Sequence, residues 1–451
     1  MAPRAGSPWR KSRCLLSVPS GIIEPVTLDP YGRLLRHPGV LRLVLVSLVA
    51  RLPHASVGVV LTLHVVVTLD LGYAKAGAVA AAMTVGMALG GPWRGRRVDR
   101  LGLRRALLPS VVIEAGVWAV APFLSYGALL VAGVVAGLFM VPVFSVIRQS
   151  LSVLVPEPEQ RTAFALDSVF TEVSFMLGPV LGVLVATTWS TTAALVCVGV
   201  ATVGAGALLM WFDPPTRSVV GEGSVRQPAA RPTGVPRARV LTPALVVTLV
   251  ASSAASLVLT GTDVSIVASL EEWDQVSATG WMIALWAAGS VVGGLVYGAG
   301  HRSVQPLTLV LLLSLLTVPA AQAGTPLLLA VAVVVAGLPC APALSAINAS
   351  LVRLVPEDRR GEVMGWSGSA MTVGSALGAP VCGALIDRTG AGAGFLVAGT
   401  VGAVVAGGGL LVLRAARSRR ASPVTADVAP DVPADVAPAE SGGRPVTAPL
   451  G

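Results

Sequence analysis

At 451 residues, with mean hydropathy +0.78, 54% hydrophobic residues and only 12% charged ones, the chain is too apolar for a water-soluble globule and needs lipid as its solvent. Its formal net charge of +9 does not point to nucleic acid, because the arginines fall in alternate loops instead of forming one basic domain with interleaved aromatics. Of the four cysteines, Cys197, Cys340 and Cys382 sit in apolar stretches and Cys14 in a basic tail, which argues against a disulfide framework.

In chain order, a tail over 1–40 comes first, with Arg4, Arg10, Lys11 and Arg13 but no apolar core and small-residue cleavage site behind them. Apolar stretches then predict helices at 41–69, 74–93, 104–124, 127–150, 163–187 and 189–212, and at 241–268, 277–299, 305–321, 326–349, 363–386 and 391–413. Most approach the roughly 20 residues that carry an α-helix across about 30 Å of hydrocarbon, where a helix satisfies its own backbone. The expectation is an all-α integral membrane fold of twelve transmembrane helices in two pseudo-symmetric six-helix bundles, 41–212 and 241–414. A Pro-, Gly- and Arg-rich cytoplasmic linker over 213–240 joins them, and 415–451, where Ala-Asp-Val-Ala-Pro repeats, should be a disordered cytoplasmic tail. Arg94, Arg96, Arg97, Arg100, Arg104, Arg105, Arg161, Arg217, Arg302, Arg359 and Arg360 fall in one set of loops, the other holding only Lys75 and Arg388. This positive-inside bias puts both termini in the cytoplasm.

An internal repeat supports the division. Ser145–Glu157 and Ser345–Glu357 agree at eight of thirteen positions at an offset of 200 residues. At an offset of 203, Gly77, Gly86, Gly90, Gly91 and Gly95 recur as Gly280, Gly289, Gly293, Gly294 and Gly298. Small residues at such spacing let helix backbones approach closely.

The loop after the second helix reads Gly95-Arg96-Arg97-Val98-Asp99-Arg100-Leu101-Gly102-Leu103-Arg104. With the linker and the parallel repeats, it resembles the Gly-x-Leu-Ala-Asp-Arg-x-Gly-Arg-Lys pattern of the major facilitator superfamily, here with Arg97 for the usual Leu. The resemblance implies a gating loop in which Gly95, Asp99, Arg100, Gly102 and Arg104 occupy the key positions, Asp99 and its basic neighbours latching the cytoplasmic ends of the two halves in an outward-open state. In the second half the equivalent loop, Gly298 to Arg302, is degenerate. In the fifth helix, Gly178-Pro179-Val180-Leu181-Gly182 resembles an element of the superfamily's exporters, with Val183 replacing the last Gly. It reads equally as a packing kink.

Ionisable residues inside spans are costly and mark function by default. Arg51, Glu114 and Glu172 each lie about ten residues from a cytoplasmic end, roughly 15 Å deep at 1.5 Å per residue, while Arg148 and Asp167 sit shallower in one hairpin, where they can pair. The repeat places Asn348, Ser367 and Thr372 at the positions of Arg148, Asp167 and Glu172, so the three charges are absent together from the second half. That suits an interacting set. Two readings follow: Glu172 with Arg51 and Glu114 forms a proton-responsive midplane site coupled to the gate through Arg148–Asp167, or the charges brace the helices. His54 is a lesser relay candidate, His64 and Asp263 weaker ones, and few charges in the second half favour a neutral or lipophilic substrate.

The leading expectation is proton-coupled export of a small drug-like or metabolite molecule across the cell membrane by alternating access. The alternatives are a proton-coupled nutrient importer and a non-transporting receptor or scaffold. The expected partners are substrate, protons and lipid, with no nucleic acid, for a monomer. No enzyme activity, cofactor or metal is expected, since neither a Walker-type loop nor a metal-spaced His or Cys cluster is present.

Overall fold

The computed structural model describes residues 29–217, 242–300 and 303–421, so most of the tail over 1–40, of the linker over 213–240 and of the tail over 415–451 lies outside the described residues. A short amphipathic helix, α1 (Asp29–Arg36), leads into α2 (Val40–Thr68), α3 (Tyr73–Leu101), α4 (Leu103–Phe123), α5 (Tyr126–Leu154), α6 (Glu157–Thr188) and α7 (Thr191–Phe212). The second half comprises α8 (Pro243–Glu272), α9 (Val276–Ala299), α10 (Pro306–Gln322), α11 (Pro326–Leu354), α12 (Glu357–Thr389) and α13 (Gly392–Ala415). Eleven of these are long and apolar enough to cross a membrane, and α10 is a shorter apolar helix, so α2–α13 answer to the twelve predicted spans. Large apolar side chains such as Leu45, Val49, Val112, Val200 and Leu312 remain exposed, as a lipid-facing surface requires. Residues 1–413 make up one compact unit; in the second, from Arg414, the described part is the end of the last helix, which runs to Ala421 where a disordered tail was expected.

Local chemistry sets many of the ends. Ser190, Thr242 and Thr325 accept from the backbone N–H three residues on, capping α7, α8 and α11, and Pro243, Pro306 and Pro326 occupy first-turn positions where no amide is needed. Helix α3 runs eight residues past its predicted end at 93, because Arg94 and Asp99 turn inward and are buried. It stops at Gly102, whose φ of +77° an L side chain rarely adopts.

Four of the five repeated glycine pairs pack the halves; at Gly77 and Gly280 a Cβ would meet nothing within 4 Å. A Cβ on Gly86 or Gly90 would run into the carbonyl of Val134 or Leu138 on α5, and one on Gly137 into Met83 on α3. In the second half Gly289, Gly293 and Gly337 meet Val334, Leu338 and Trp286 in the same way, each pair shifted by the repeat offset. The next glycines join the halves: Gly91 and Gly95 of α3 lie against Gly365 and Gly361 of α12, while Gly294 and Gly298 of α9 lie against Ala165 and Val169 of α6. Two crossings within the halves and two between them form a pseudo-symmetric frame. Lipid offers no hydrophobic force between helices, so such close approach carries the association.

Helix α1 adds to one seam. The Tyr31 hydroxyl donates to the carbonyls of Gly294 and Leu295 at 3.2 and 2.9 Å. Burial pushes this hydroxyl up to about 12, against the opposing pull of Arg161, so it stays protonated at neutral pH.

Gly137→Ala should lower the thermal midpoint in detergent by the roughly 1–3 kcal/mol of an overpacked core. Gly116→Ala, where a Cβ meets nothing within 4 Å, should leave it unchanged or slightly raised.

Candidate functional site

Between the halves lies a cavity of about 440 Å³, walled by α2, α3, α5 and α6 on one side and α8, α11 and α12 on the other. This is within the usual range for a small-molecule site. Its first wall carries His54, Arg94 and Arg148 with Phe144 and Phe175, whose rings stack 6.1 Å apart. The opposite wall is neutral, presenting Ser256, Ser369, Thr372 and Ser375 with Leu344 and Met371.

Contacts close the cavity at the Asp99 end. The Asp99 carboxylate accepts from the backbone N–H groups of Gly361 and Glu362, at 2.9 and 2.8 Å, and from Gln149 Nε2 at 3.0 Å. An anion here meets the unpaired amides and positive dipole at the start of α12. Ser369 donates to the Ala88 carbonyl, Arg360 to Ser152 and Thr162 to the Gly298 carbonyl. Arg96 pairs with Glu362 at 3.2 Å in a half-exposed position that adds little. Arg100 is exposed and Arg104 pairs with Asp213 inside its own half; the side chain that reaches Asp99 is the neutral Gln149, and the arginine that crosses to α12 is Arg96.

Behind the first wall, one carboxylate holds two arginines. Asp167 Oδ1 takes Arg51 Nη2 at 2.5 Å, its Oδ2 takes Arg148 Nε at 3.2 Å, and its backbone carbonyl accepts from Arg51 Nη1 at 3.3 Å. Both guanidinium groups also lie near the Phe144 ring, at 4.9 and 5.7 Å. The expected Arg148–Asp167 pair is present, but Arg51 joins it rather than Glu172.

Glu172 points across the seam, where Oε1 accepts from Ser290 Oγ of α9 at 3.2 Å and from Cys340 Sγ of α11 at 3.4 Å. Glu114 lies apart in a space of about 20 Å³, which admits about one water molecule. Glu114 lies near the Val141 backbone and Arg94, and His54 lines both this space and the central cavity. The single midplane site expected for Arg51, Glu114 and Glu172 is thus three separate environments. Counting residues gives depth, but not the direction in which each side chain leaves its helix.

Arg94 is a site residue that sequence reading left in the loop. Pro142 interrupts α5 after Phe139, and Arg94 Nη1 donates to the freed carbonyls of Gly137 and Leu138 at 2.6 and 2.8 Å. Gly178 and Gly182 pack α6 onto α2 against Ala55 and Val60, Ser56 donates to the Gly178 carbonyl at 2.6 Å, and the helix runs unbroken through Pro179. Among the described residues no group of three His, Cys, Asp or Glu side chains could hold a metal ion.

The family model of the major facilitator superfamily matches residues 43–319 and again 271–447. The chain belongs to this superfamily. Solved structures of superfamily-like architecture agree. A bacterial homologue of the iron transporter ferroportin, in its outward-facing state, is similar at TM-score 0.65 and 15% identity over 84% of this chain and 99% of that one. The human organic anion transporter gives 0.63 and 16% over 82% and 99%, and the E. coli fucose:proton symporter 0.61 and 15% over 82% and 98%. No curated protein matches the sequence. Membership makes this a multi-pass membrane protein of a transporter family. The superfamily loop pattern thus corresponds to the Asp99 contact with α12 and the Gly95–Gly361 approach, while its Gly102 ends α3.

Asp167→Asn leaves two buried arginines without their counter-charge and should destabilise the protein by about 3–5 kcal/mol. Adding Arg51→Met should recover part of that loss, and thermal unfolding of the purified variants measures both.

Proposed function

We propose that this superfamily member is a secondary active transporter of the cell membrane, both termini cytoplasmic, exporting a small organic molecule in exchange for protons by alternating access. The observation that carries this reading is the cavity of about 440 Å³ between the halves, closed at the arginine-rich end through Asp99 and the Gly91–Gly365 and Gly95–Gly361 approaches. With that end cytoplasmic, the conformation is outward-facing, the state in which the similar ferroportin homologue was solved. A carboxylate on helix-end amides is a contact that a rocking motion can break and remake without distorting either half.

Glu172 suits the proton-coupling role. Its partners, Ser290 and Cys340, belong to the opposite half, so its surroundings change whenever the halves separate there. A carboxyl whose solvation differs between two states has a different proton affinity in each, and exchanges a proton where the two affinities bracket the ambient pH. The Arg51–Asp167–Arg148 group ties α2, α5 and α6 together beside it, so movement of the first half is shared by all three helices.

Cells producing the protein should tolerate part of a broad panel of toxic organic compounds better than cells without it, and a proton uncoupler should remove the difference. Gly368→Leu, where the added side chain has open space in the cavity wall, should abolish the protection with the protein still folded. Glu172→Gln should remove the dependence on the pH gradient in proteoliposomes. An unaltered dependence overturns its role, and inward accumulation along the gradient favours an importer.

A further inference from the structure

The charges around the cavity do not balance. Arg51, Arg94 and Arg148 stand on or behind its first wall, and only Asp167 is ion-paired to any of them. Glu114, which is in no ion pair among the described residues, is a carboxylate within electrostatic reach of Arg94. The lining therefore presents two guanidinium groups, Arg94 and Arg148, and no carboxylate, while the single Asp167 behind it is shared between Arg148 and Arg51. Asp167, Glu114, Glu172 and Asp263 all lie outside the lining, and Glu172 is engaged with Ser290 and Cys340. A buried cation without a counter-ion is costly in a membrane interior.

The donors are also in place. Arg148 uses Nε on Asp167, and among the described residues its two terminal nitrogens have no hydrogen-bonded partner while the side chain lines the cavity. Arg94 uses Nη1 on the α5 carbonyls, and its remaining nitrogens have none. The Phe144–Phe175 stack supplies a flat apolar surface beside them, and the hydroxyls of Ser256, Thr372 and Ser375 supply neutral contacts opposite. An arginine fork suits a planar two-oxygen anion.

We infer that the cavity takes an organic anion, a carboxylate or similar acid on an aromatic or apolar body, its acid group against Arg94 and Arg148 and its body against Phe144 and Phe175. This rests on the reading of the cavity as the transport site and replaces the expectation of a neutral substrate. The incoming anion supplies the missing counter-charge, so the site discriminates by charge as well as by shape.

The test uses the full chain in lipid nanodiscs with 1-naphthoate, 1-naphthamide and 1-naphthylmethylammonium, which share one ring system and differ in charge. Naphthoate should raise the thermal midpoint at concentrations at least tenfold lower than the amide, and the ammonium should bind most weakly. Thr372→Asp and Ser375→Asp each place a carboxylate on the neutral wall and should each weaken naphthoate binding at least tenfold, with gel filtration reporting that the variants fold. Equal or better binding of the amide or the ammonium, no binding of any of the three, or an unchanged preference in both variants overturns the anion site. Naphthoate binding without accumulation in proteoliposomes leaves the anion site standing and sinks the transport reading. Transport of neutral or cationic compounds with no preference for acids does the reverse.

Discussion

The structure depends first on how closely its helices can approach. In lipid, apolar side chains gain nothing by leaving the solvent for one another, so association rests on backbone contact and dispersion. Glycines provide this at the α3–α5 and α9–α11 crossings inside the halves and at the α3–α12 and α6–α9 crossings between them. The two kinds of crossing use neighbouring glycines of the same helices. Gly86 and Gly90 hold α3 to its own half, and one position further round, Gly91 and Gly95 hold it to the other. Helices α3 and α9 are therefore at once internal supports and the rails on which the halves meet.

On this symmetric frame the charges are asymmetric. Where the first half has Arg51, Arg148 and Asp167 in one ionic group, the second has Ser252 and Ser367 with their hydroxyls 3.4 Å apart, and a buried Asn348 at the repeat position of Arg148. Likewise the Asp99 carboxylate sits on the start of α12, while the opposite seam is made by Tyr31 and Thr162 on the carbonyls ending α9. A charged wall thus faces a hydroxyl wall across the cavity. The asymmetry lets one half present fixed charge to whatever enters while the other offers a neutral surface.

Much of this was legible in the residues. Length and hydropathy located the spans, and the glycine register at an offset of 203 marked the faces that pack. The Gly361-x-x-x-Gly365 spacing, which meets Gly95 and Gly91, carries the same small-residue signal and could have been read with them. Joint loss of Arg148, Asp167 and Glu172 from the second half pointed to an interacting set; Arg148 and Asp167 are in contact, whereas Glu172 engages Ser290 and Cys340 of the opposite half. Arg94 was not legible, since an arginine opening a basic run looks like a loop residue. It belongs to the membrane only because Pro142 breaks α5 and frees carbonyls for it to cap.

The sequence by itself determined that the chain lives in lipid, how many helices span it, that it is doubled, and which residues are costly enough to need partners; helix α1, inside the tail expected over 1–40, it did not show. Those properties are local or periodic, and each follows from side-chain chemistry along one strand of sequence. Which partner each charge found was decided only by the tertiary structure. Depth along a helix can be counted from its end, whereas direction around it matters only relative to neighbours, and these come from distant parts of the chain. Arg51, Glu114 and Glu172 share a depth and face Asp167, a small polar space and the opposite half respectively.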